Sequence, residues 1–407
     1  MTATSPLDPA RERMLLLTLA GIQFAHILDF MIMMPLGPVL MKELSVGTHD
    51  FGLLAAMFVD RFERKRLLLA MFGLFALATL ACGLAPGYWT LLVARGTAGA
   101  FGGVLGSMVQ TMVGDLIPFE RRGRASGTIM SAFSLSTVAG VPLSLWLANH
   151  FGWRFPFYFI AILSCGLLVL AWKTLPALRG HLPAATVSEA ERAHPLSAML
   201  AVLVDANHRR ALAFMALIML SGFSVIPYIT IYITSNVNIR LEDIPLIYLF
   251  GGCATFFTSR LIGRMADRHG KIRAYRVVAF ASLLPLAVIT NLWPVPLWLM
   301  IVWSTVFFIL VPGGMVPAMA VVTSAAQPRL RGTFMSMNGA VQQLASGIAS
   351  WLGGMMIATD VTGRVVGYNH VGWLAMAATL LAIAFVGRIR MHTGMPPAGA
   401  ASLPATE

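Results

Sequence analysis

Three polar residues interrupt the first apolar run of the chain at a spacing that could support proton chemistry. Gln23, His26 and Asp29 recur every third residue, so a helix would carry them within about 120° of one face. A carboxylate in the middle of a membrane span costs about 2.5–3.5 kcal/mol on insertion scales. The neutral form of a buried carboxyl costs less, which suits Asp29 to binding and releasing a proton. The alternative is structural: Asp29 and His26 would only hydrogen-bond a neighbouring helix.

Arg95 is a second ionisable residue inside an apolar run. It follows Asp60 by 35 residues (95 − 60), and the residue 35 positions after Asp267, in a related later segment, is Val302. The arginine is therefore not part of a repeated architecture. A buried arginine needs an anion or a carbonyl as partner, and it could favour proton release by a nearby carboxyl. The alternative is a salt bridge that only holds helices together.

The composition indicates a protein that resides in a lipid bilayer. Hydrophobic residues make up 57% of the chain and charged residues only 11%, against about 25% in soluble domains. A bilayer core of about 30 Å needs roughly 20 apolar residues per helix. We predict eleven such helices, over 14–41, 67–86, 89–114, 126–148, 155–174, 210–235, 244–266, 275–293, 297–325, 333–358 and 372–390. A twelfth apolar segment, 51–59, is too short to cross alone.

The net charge of +12 follows membrane topology and does not indicate a nucleic-acid partner. If the N-terminus is cytoplasmic and all twelve segments cross, 23 of the 29 Lys and Arg residues lie inside. Four lie outside, namely Lys42, Arg154, Arg240 and Arg364. The remaining two, Arg95 and Arg260, lie within spans. Such a bias is the positive-inside rule. We expect a multi-pass membrane protein with both termini in the cytoplasm. The three cysteines all fall in apolar runs, which argues against a disulfide framework.

The short segment lies between Asp50 and Asp60, ten residues apart. The corresponding later segment runs from Asp243 to Asp267, 24 residues apart. About fourteen residues are therefore missing, roughly 21 Å of helix at 1.5 Å per residue. If the short segment did not cross, every later loop would change sides, and the charge distribution opposes that arrangement. We take twelve crossings as the arrangement for which the rest of the chain was selected.

The chain consists of two related halves joined by a hydrophilic connector. Asp60 precedes Gly123 by 63 residues, and Asp267 precedes Gly332 by 65 residues, with Arg-Gly at both later positions. We assign the N-terminal helical half to 1–174, a cytoplasmic linker with a short surface helix to 175–209, and the C-terminal helical half to 210–407. Duplicated halves are typical of transporters in which one half rocks against the other around a site at the midplane.

Several motifs resemble those of the major facilitator superfamily. The segment Gly263-Arg-Met-Ala-Asp267-Arg-His-Gly270-Lys-Ile-Arg273 is similar to the family's loop between helices eight and nine. Val59-Asp60-Arg-Phe-Glu-Arg64 is similar to the loop between helices two and three, with Ala56 and Glu63 where the family usually has glycine. Leu91-Leu-Val-Ala-Arg95-Gly96 resembles the helix-four motif. The resemblance implies an all-α polytopic membrane protein with two pseudo-symmetric six-helix halves.

Within that superfamily, the chain resembles the bacterial drug–proton antiporter branch, including its sugar-efflux and purine-nucleoside-efflux members. The resemblance is carried by the segments 24–36 and Phe151-Gly-Trp153-Arg154. It implies proton-coupled efflux of a small organic solute (a drug, a sugar or a nucleoside-like compound) by alternating access. The proton-coupling residues would be Asp29, Arg95 and His26. A solute importer, an uncoupled facilitator and a transport-impaired remnant with a short second helix are the alternatives.

The resemblance also implies a conformational latch in the two basic turns, which would hold the closed state. Its candidate residues are Asp60, Arg64, Asp267, Arg268, Gly263 and Gly270. Alternatively, the basic turns only set topology. Candidate residues of the substrate cavity are Gln23, Gln110, Tyr228, Tyr232, Trp303, Asn338 and Gln342. Membrane helices also use such side chains for hydrogen bonds to one another, so both interpretations stay open.

No enzymatic signature is present in the sequence. It contains no HExxH zinc motif, no GxxxxGK[ST] phosphate loop and no GxSxG nucleophile elbow. We therefore expect no enzyme activity, no catalytic residues, no cofactor and no metal site. The expected partners are a small-molecule substrate, protons and the lipid bilayer, without nucleic acid, and the chain is expected to act as a monomer.

We predict that lengthening the short second segment increases both stability and transport. Residues 51–59 would cover about 13–14 Å of helix, less than half of the ~30 Å bilayer core. Insertion of about fourteen apolar residues after Leu54 should raise the melting temperature in detergent and the transport rate. If the lengthened protein melts no higher and transports no faster, the hypothesis that about fourteen residues were deleted is wrong. The short segment is then a tolerated variant of the fold.

Overall fold

The computed structural model describes residues 9–44, 64–116, 128–129, 132, 135–175, 195–327 and 330–391. The helices, numbered in chain order, are α1 Pro9–Leu44, α2 Arg64–Leu84, α3 Tyr88–Leu116, α4 Val141–Phe151, α5 Phe155–Thr174, α6 Pro195–Val204, α7 Ala206–Val225, α8 Ile229–Asn236, α9 Ile244–His269, α10 Lys271–Thr290, α11 Leu297–Leu310, α12 Met315–Ala325, α13 Arg331–Met356 and α14 Tyr368–Val386. Two short strands, β1 Ala358–Thr359 and β2 Val365–Val366, pair antiparallel. The predicted short segment 51–59 lies outside the described residues.

The described part of the chain contains seven helical stretches that are long and apolar enough to cross a membrane. They are Ala10–Met33, Phe155–Thr174, Ala206–Asn236, Leu241–His269, Lys271–Thr290, Leu297–Ala325 and Tyr368–Val386. Leu68–Leu84 is a shorter apolar helix, and α3 and α13 have 29 and 26 residues. The prediction of an all-α polytopic fold is confirmed.

Two predicted helices are interrupted where proline enters the chain. The predicted helix 210–235 contains a 3₁₀ turn at Ile226–Tyr228, and the predicted helix 297–325 contains one at Pro312–Gly314. Pro227 and Pro312 lack the backbone N–H that would continue the α-helical bonding. A π-helical turn at Ser136–Gly140 precedes α4. The sequence pattern located these elements but not their internal breaks.

The helices pack into two groups. In the first, α2 packs against α3 and α5, and α1 against α5. In the second, α7 packs against α13 and α14, α10 against α14, and α9 against α11. Each group has its own apolar cluster, around Phe72 and Phe214 respectively. A third cluster contains residues of both groups, among them Leu28, Phe157 and Tyr232.

Among the described residues, three sets of helix contacts are prominent where the two groups meet. Helix α1 meets the Ile226–Tyr228 turn and α8, α9 meets the Ser136–Gly140 turn and α4, and α3 meets α13. A Cβ added at Gly252 on α9 would lie 2.9 Å from the backbone of Thr137. Only glycine permits that approach, because a real Cβ needs more space. The π-helical turn is therefore packed directly against the backbone of α9.

Candidate functional site

A buried ion pair lies between α1 and α3. Arg95 Nη1 donates to Asp29 Oδ2 at 2.7 Å, and Arg95 Nη2 donates to the backbone carbonyl of Asp29 at 3.3 Å. The side chains of Arg95 and Asp29 are 5% and 4% exposed. Both charged groups are therefore removed from solvent, and each stabilises the other electrostatically. The structure brings together the two ionisable residues that the sequence singled out within apolar runs.

Helix α2 completes the surroundings of the ion pair with two residues that the sequence analysis did not single out. The hydroxyl of Thr79 donates to Asp29 Oδ1 at 3.3 Å, and Thr79 is fully buried. Cys82, one turn further along α2, is also fully buried, in the surroundings of the Arg95 guanidinium. Their spacing of three residues on one helix face is the same signal that marked His26 and Asp29, and it could have identified them.

His26 lies one turn before Asp29 on α1 and is half-buried. Its ring makes an edge-on contact with Phe75 on α2, with centroids 6.1 Å apart. On the other side it lies against α3, where a Cβ at Gly102 would come within 2.5 Å of Nδ1. A larger residue at Gly102 would displace the imidazole, so the small residue on α3 is what allows His26 to occupy this place.

The predicted cavity residues have different surroundings. The Tyr228 hydroxyl donates to the Ser350 carbonyl at 2.7 Å, and the Tyr232 hydroxyl donates to the Leu292 carbonyl at 2.8 Å. Both tyrosines are buried, so these hydroxyls are used in packing within the second group of helices. Trp303 is partly buried against the shared apolar cluster.

Two amide side chains differ from these tyrosines. The carbonyl oxygens of Gln23 and Asn338 are buried and accept no hydrogen bond from a described residue. A buried amide oxygen without a donor is costly, so a solute donor would compensate either of them. Gln342 is half-buried, with its Nε2 atom 4.0 Å from the Met319 sulfur. The side chain of Gln110 lies outside the described residues.

The predicted latch can be located only in its later half. Asp267 and Arg268 are exposed near the end of α9, and neither forms an ion pair with a described residue. Gly270 has a φ of +90° and separates α9 from α10. Gly263 lies inside α9, where an added Cβ would reach Val316 at 3.9 Å. Asp60 and the side chain of Arg64 lie outside the described residues, so the latch stays a prediction.

The described residues contain no group of three or more His, Cys, Asp or Glu side chains that could hold a metal ion. What the described site offers chemically is one carboxyl group held against one guanidinium group in a buried position.

The chain matches the family model described as Major Facilitator Superfamily over residues 19–350 and 211–405. Two solved structures share its fold. A bacterial homolog to the human lysosomal transporter Spinster, in an inward-facing and occupied conformation, has a TM-score of 0.69 and 14% identity, covering 96% of this chain and 100% of that one. A D-xylose-proton symporter has a TM-score of 0.68 and 16% identity, covering 95% and 100%.

Curated relatives are also similar over much of the sequence. The MFS-type transporter YbcL of Bacillus subtilis (strain 168) is 24% identical over 78% of this chain and 79% of its own length. A probable sugar efflux transporter of Helicobacter pylori (strain P12) is 27% identical over 59% of this chain and 57% of its own length.

We predict that the two members of the ion pair depend on each other for stability. Removing one partner of a buried pair costs about 3–5 kcal/mol, whereas replacing both with apolar residues is often neutral. Asp29→Leu and Arg95→Met should each lower the melting temperature in detergent strongly, and the double variant should regain most of the loss. Arg260→Met is the matched control, because Arg260 is exposed and stacks on Phe256 at 4.5 Å. Losses that simply add in the double variant would contradict mutual dependence.

Proposed function

The chain belongs to the Major Facilitator Superfamily, and we propose that it is a proton-driven antiporter that exports a small organic solute. It is a transport protein and not an enzyme. The observation that most supports proton coupling is the buried pair of Asp29 and Arg95, with its 2.7 Å contact. A carboxyl inside the membrane is the group that can carry a proton from one side to the other. Because Arg95 is its partner, binding or release of that proton would change the electrostatic attraction between α1 and α3.

Protonation of Asp29 would change the balance of forces among α1, α2 and α3. With the proton bound, the carboxyl is neutral and the guanidinium of Arg95 is left without its anion, which is costly in a buried place. Thr79 can remain bonded to Asp29 in both states, because a hydroxyl both donates and accepts. Arg95 must then find another acceptor or more water. We propose that this requirement drives the change between inward-facing and outward-facing states.

Export is favoured over import by the sequences that resemble the chain. A probable sugar efflux transporter is among its relatives, whereas the D-xylose-proton symporter shares only the fold at 16% identity. A proton-coupled importer is the second candidate, supported by that neighbour. The proposed solute is a drug, a sugar or a nucleoside-like compound. Gln23 and Asn338 support a partly polar solute, since each offers a buried carbonyl oxygen that accepts no described hydrogen bond.

We propose a multi-pass monomer in the bacterial inner membrane, with both termini and the linker in the cytoplasm and with halves at 1–174 and 210–407. The charge bias supports this orientation, and exposed tryptophans support the placement of several helix ends at the membrane boundary. Trp89, Trp293 and Trp298 are 65–74% exposed and adjoin ends of α3, α10 and α11 that the charge bias places outside. Aromatic residues of this kind concentrate where a membrane meets water.

We predict that Asp29→Asn abolishes proton-driven exchange while the protein remains folded in the membrane. In everted vesicles with an acidic interior, a dye reports loss of the pH gradient when sugars, nucleosides or cationic drugs are added. The parent should release protons with at least one solute, and Asp29→Asn should not. Arg95→Lys should also impair coupling, because a point charge does not reproduce the guanidinium fork.

Glu242→Gln serves as the matched control for this experiment, since it removes an exposed acid that lies just before α9 and outside the predicted span 244–266. It should behave like the parent. Asp29 is not the coupling acid if Asp29→Asn exchanges protons at the parental rate. A parent that takes up protons together with the added solute in right-side-out vesicles would favour the importer.

We predict that the turn between β1 and β2 is outside the cell and the start of α7 is inside. Asp360 accepts hydrogen bonds from the hydroxyl of Thr362 and the amides of Thr362 and Arg364, which orders this turn and lowers the pKa of Asp360. Val361 at its tip is fully exposed. In a background with the three native cysteines replaced, an impermeant maleimide should label Val361→Cys in intact cells but not Ala206→Cys. The opposite labelling pattern would refute the orientation.

A further inference from the structure

A basic cavity of about 380 Å³ lies where α9 passes into α10, far along the chain from the ion pair. It is lined by His269, Gly270, Lys271, Ile272, Arg273, Arg276 and Met391. Four of these seven residues are basic. The charge bias places this end of the helices in the cytoplasm, so the cavity faces the inner leaflet of the membrane.

The positive charges around the cavity are not neutralised by described acids. Lys271 Nζ donates to the Ser324 hydroxyl at 2.6 Å, and Arg276 Nε donates to the Ile383 carbonyl at 3.3 Å. These partners are neutral. Arg273 and His269 form no ion pair with a described residue. Asp267, the one acid within this turn, is exposed and likewise unpaired among the described residues.

The backbone of α10 adds to the attraction for an anion. Gly270 provides no side-chain cap, and the first helical bond runs from the Ala274 amide to the Gly270 carbonyl at 3.0 Å. The amides of the first helical turn therefore point towards the cavity end without helical acceptors. A helix N-terminus of this kind favours negative charge, in addition to the four basic side chains.

An apolar stripe continues from the cavity along α10. Val277, Phe280 and Leu284 are 54%, 67% and 61% exposed. Their positions follow Arg273 and Arg276 at spacings of three and four residues, so all five side chains share one helix face. The surface thus offers cations at the membrane boundary and hydrocarbon contact below them. A free anion could use only the first of these features, whereas a phospholipid could use both.

We propose that this surface binds an anionic phospholipid of the cytoplasmic leaflet, with its phosphate in the basic cavity. The acyl chains would lie along Val277, Phe280 and Leu284. Basic pockets on the cytoplasmic side of membrane helices suit anionic headgroups, and the anionic leaflet supplies them. The site is independent of the proposed proton coupling, because it shares no residue with the Asp29 and Arg95 pair.

The test measures the preference of the full chain for phosphatidylglycerol over phosphatidylcholine. The purified protein is mixed with each lipid in detergent, and bound lipid is counted by native mass spectrometry while the melting temperature is recorded. Arg273→Gln with Arg276→Gln should lower the preference for phosphatidylglycerol about tenfold and remove its effect on melting. The matched control, Arg210→Gln with Arg264→Gln, removes the same charge from exposed positions outside the cavity and should retain the preference.

Two further arms distinguish a bound phospholipid from a free anion and from an effect of net charge. Inorganic phosphate at matched concentration should not raise the melting temperature, and an equal rise would assign the cavity to a free anion and overturn the proposal. An equal loss of phosphatidylglycerol preference in Arg210→Gln with Arg264→Gln would attribute the loss to net charge and would also overturn the proposal. If the double variant does not fold, Arg273→Glu replaces it, because Arg273 makes no hydrogen bond with a described residue. Unchanged lipid preference in Arg273→Glu would refute the site.

Discussion

The ion pair between Asp29 and Arg95 is the interaction on which the other features of the site depend. Neither charge is tolerable alone in a place without water, since a single buried ion costs several kcal/mol. The pair therefore requires α1 and α3 to meet with these two side chains in register. Thr79 then limits where α2 can lie, because its hydroxyl must reach Asp29 from one face of that helix. One electrostatic requirement thus constrains three helices.

The sequence was sufficient to find both members of the pair but not their contact. Ionisable residues inside apolar runs are rare enough to be conspicuous, and their types limit what they can do. Which partner each one meets depends on how three helices cross, and helical periodicity does not contain that information. Tyr228 and Tyr232 illustrate the same limit. They are four positions apart, which would place both on one face of an uninterrupted helix. The break at Pro227 and the carbonyls of distant helices decide where their hydroxyls go.

The second group of helices is held together by hydrogen bonds that tie distant elements. The Tyr228 hydroxyl joins the start of α8 to α13, and the Tyr368 hydroxyl joins α14 to the Val225 carbonyl at 3.0 Å. Such buried bonds would be lost if these helices moved apart, so they favour movement of the group as one body. The contacts described between the groups are of a different kind. Gly252 of α9 packs against the backbone of Thr137. A Cβ added at Gly103 of α3 would lie 3.7 Å from the side-chain amide nitrogen of Gln343 on α13. Contacts without hydrogen bonds can separate without leaving a buried polar group unpaired.

Helix α1 is the element through which a change at the ion pair would reach the other group. Asp29 turns towards α3, while its neighbour Phe30 contacts Phe223 of α7 with ring centroids 5.6 Å apart. Successive residues of a helix point about 100° apart, so one short stretch of α1 faces both partners. Any rotation or shift of α1 that follows protonation must move Phe30 against Phe223. In the proposed mechanism, adjacent residues of α1 would therefore couple the charge state of Asp29 to the packing of the two groups.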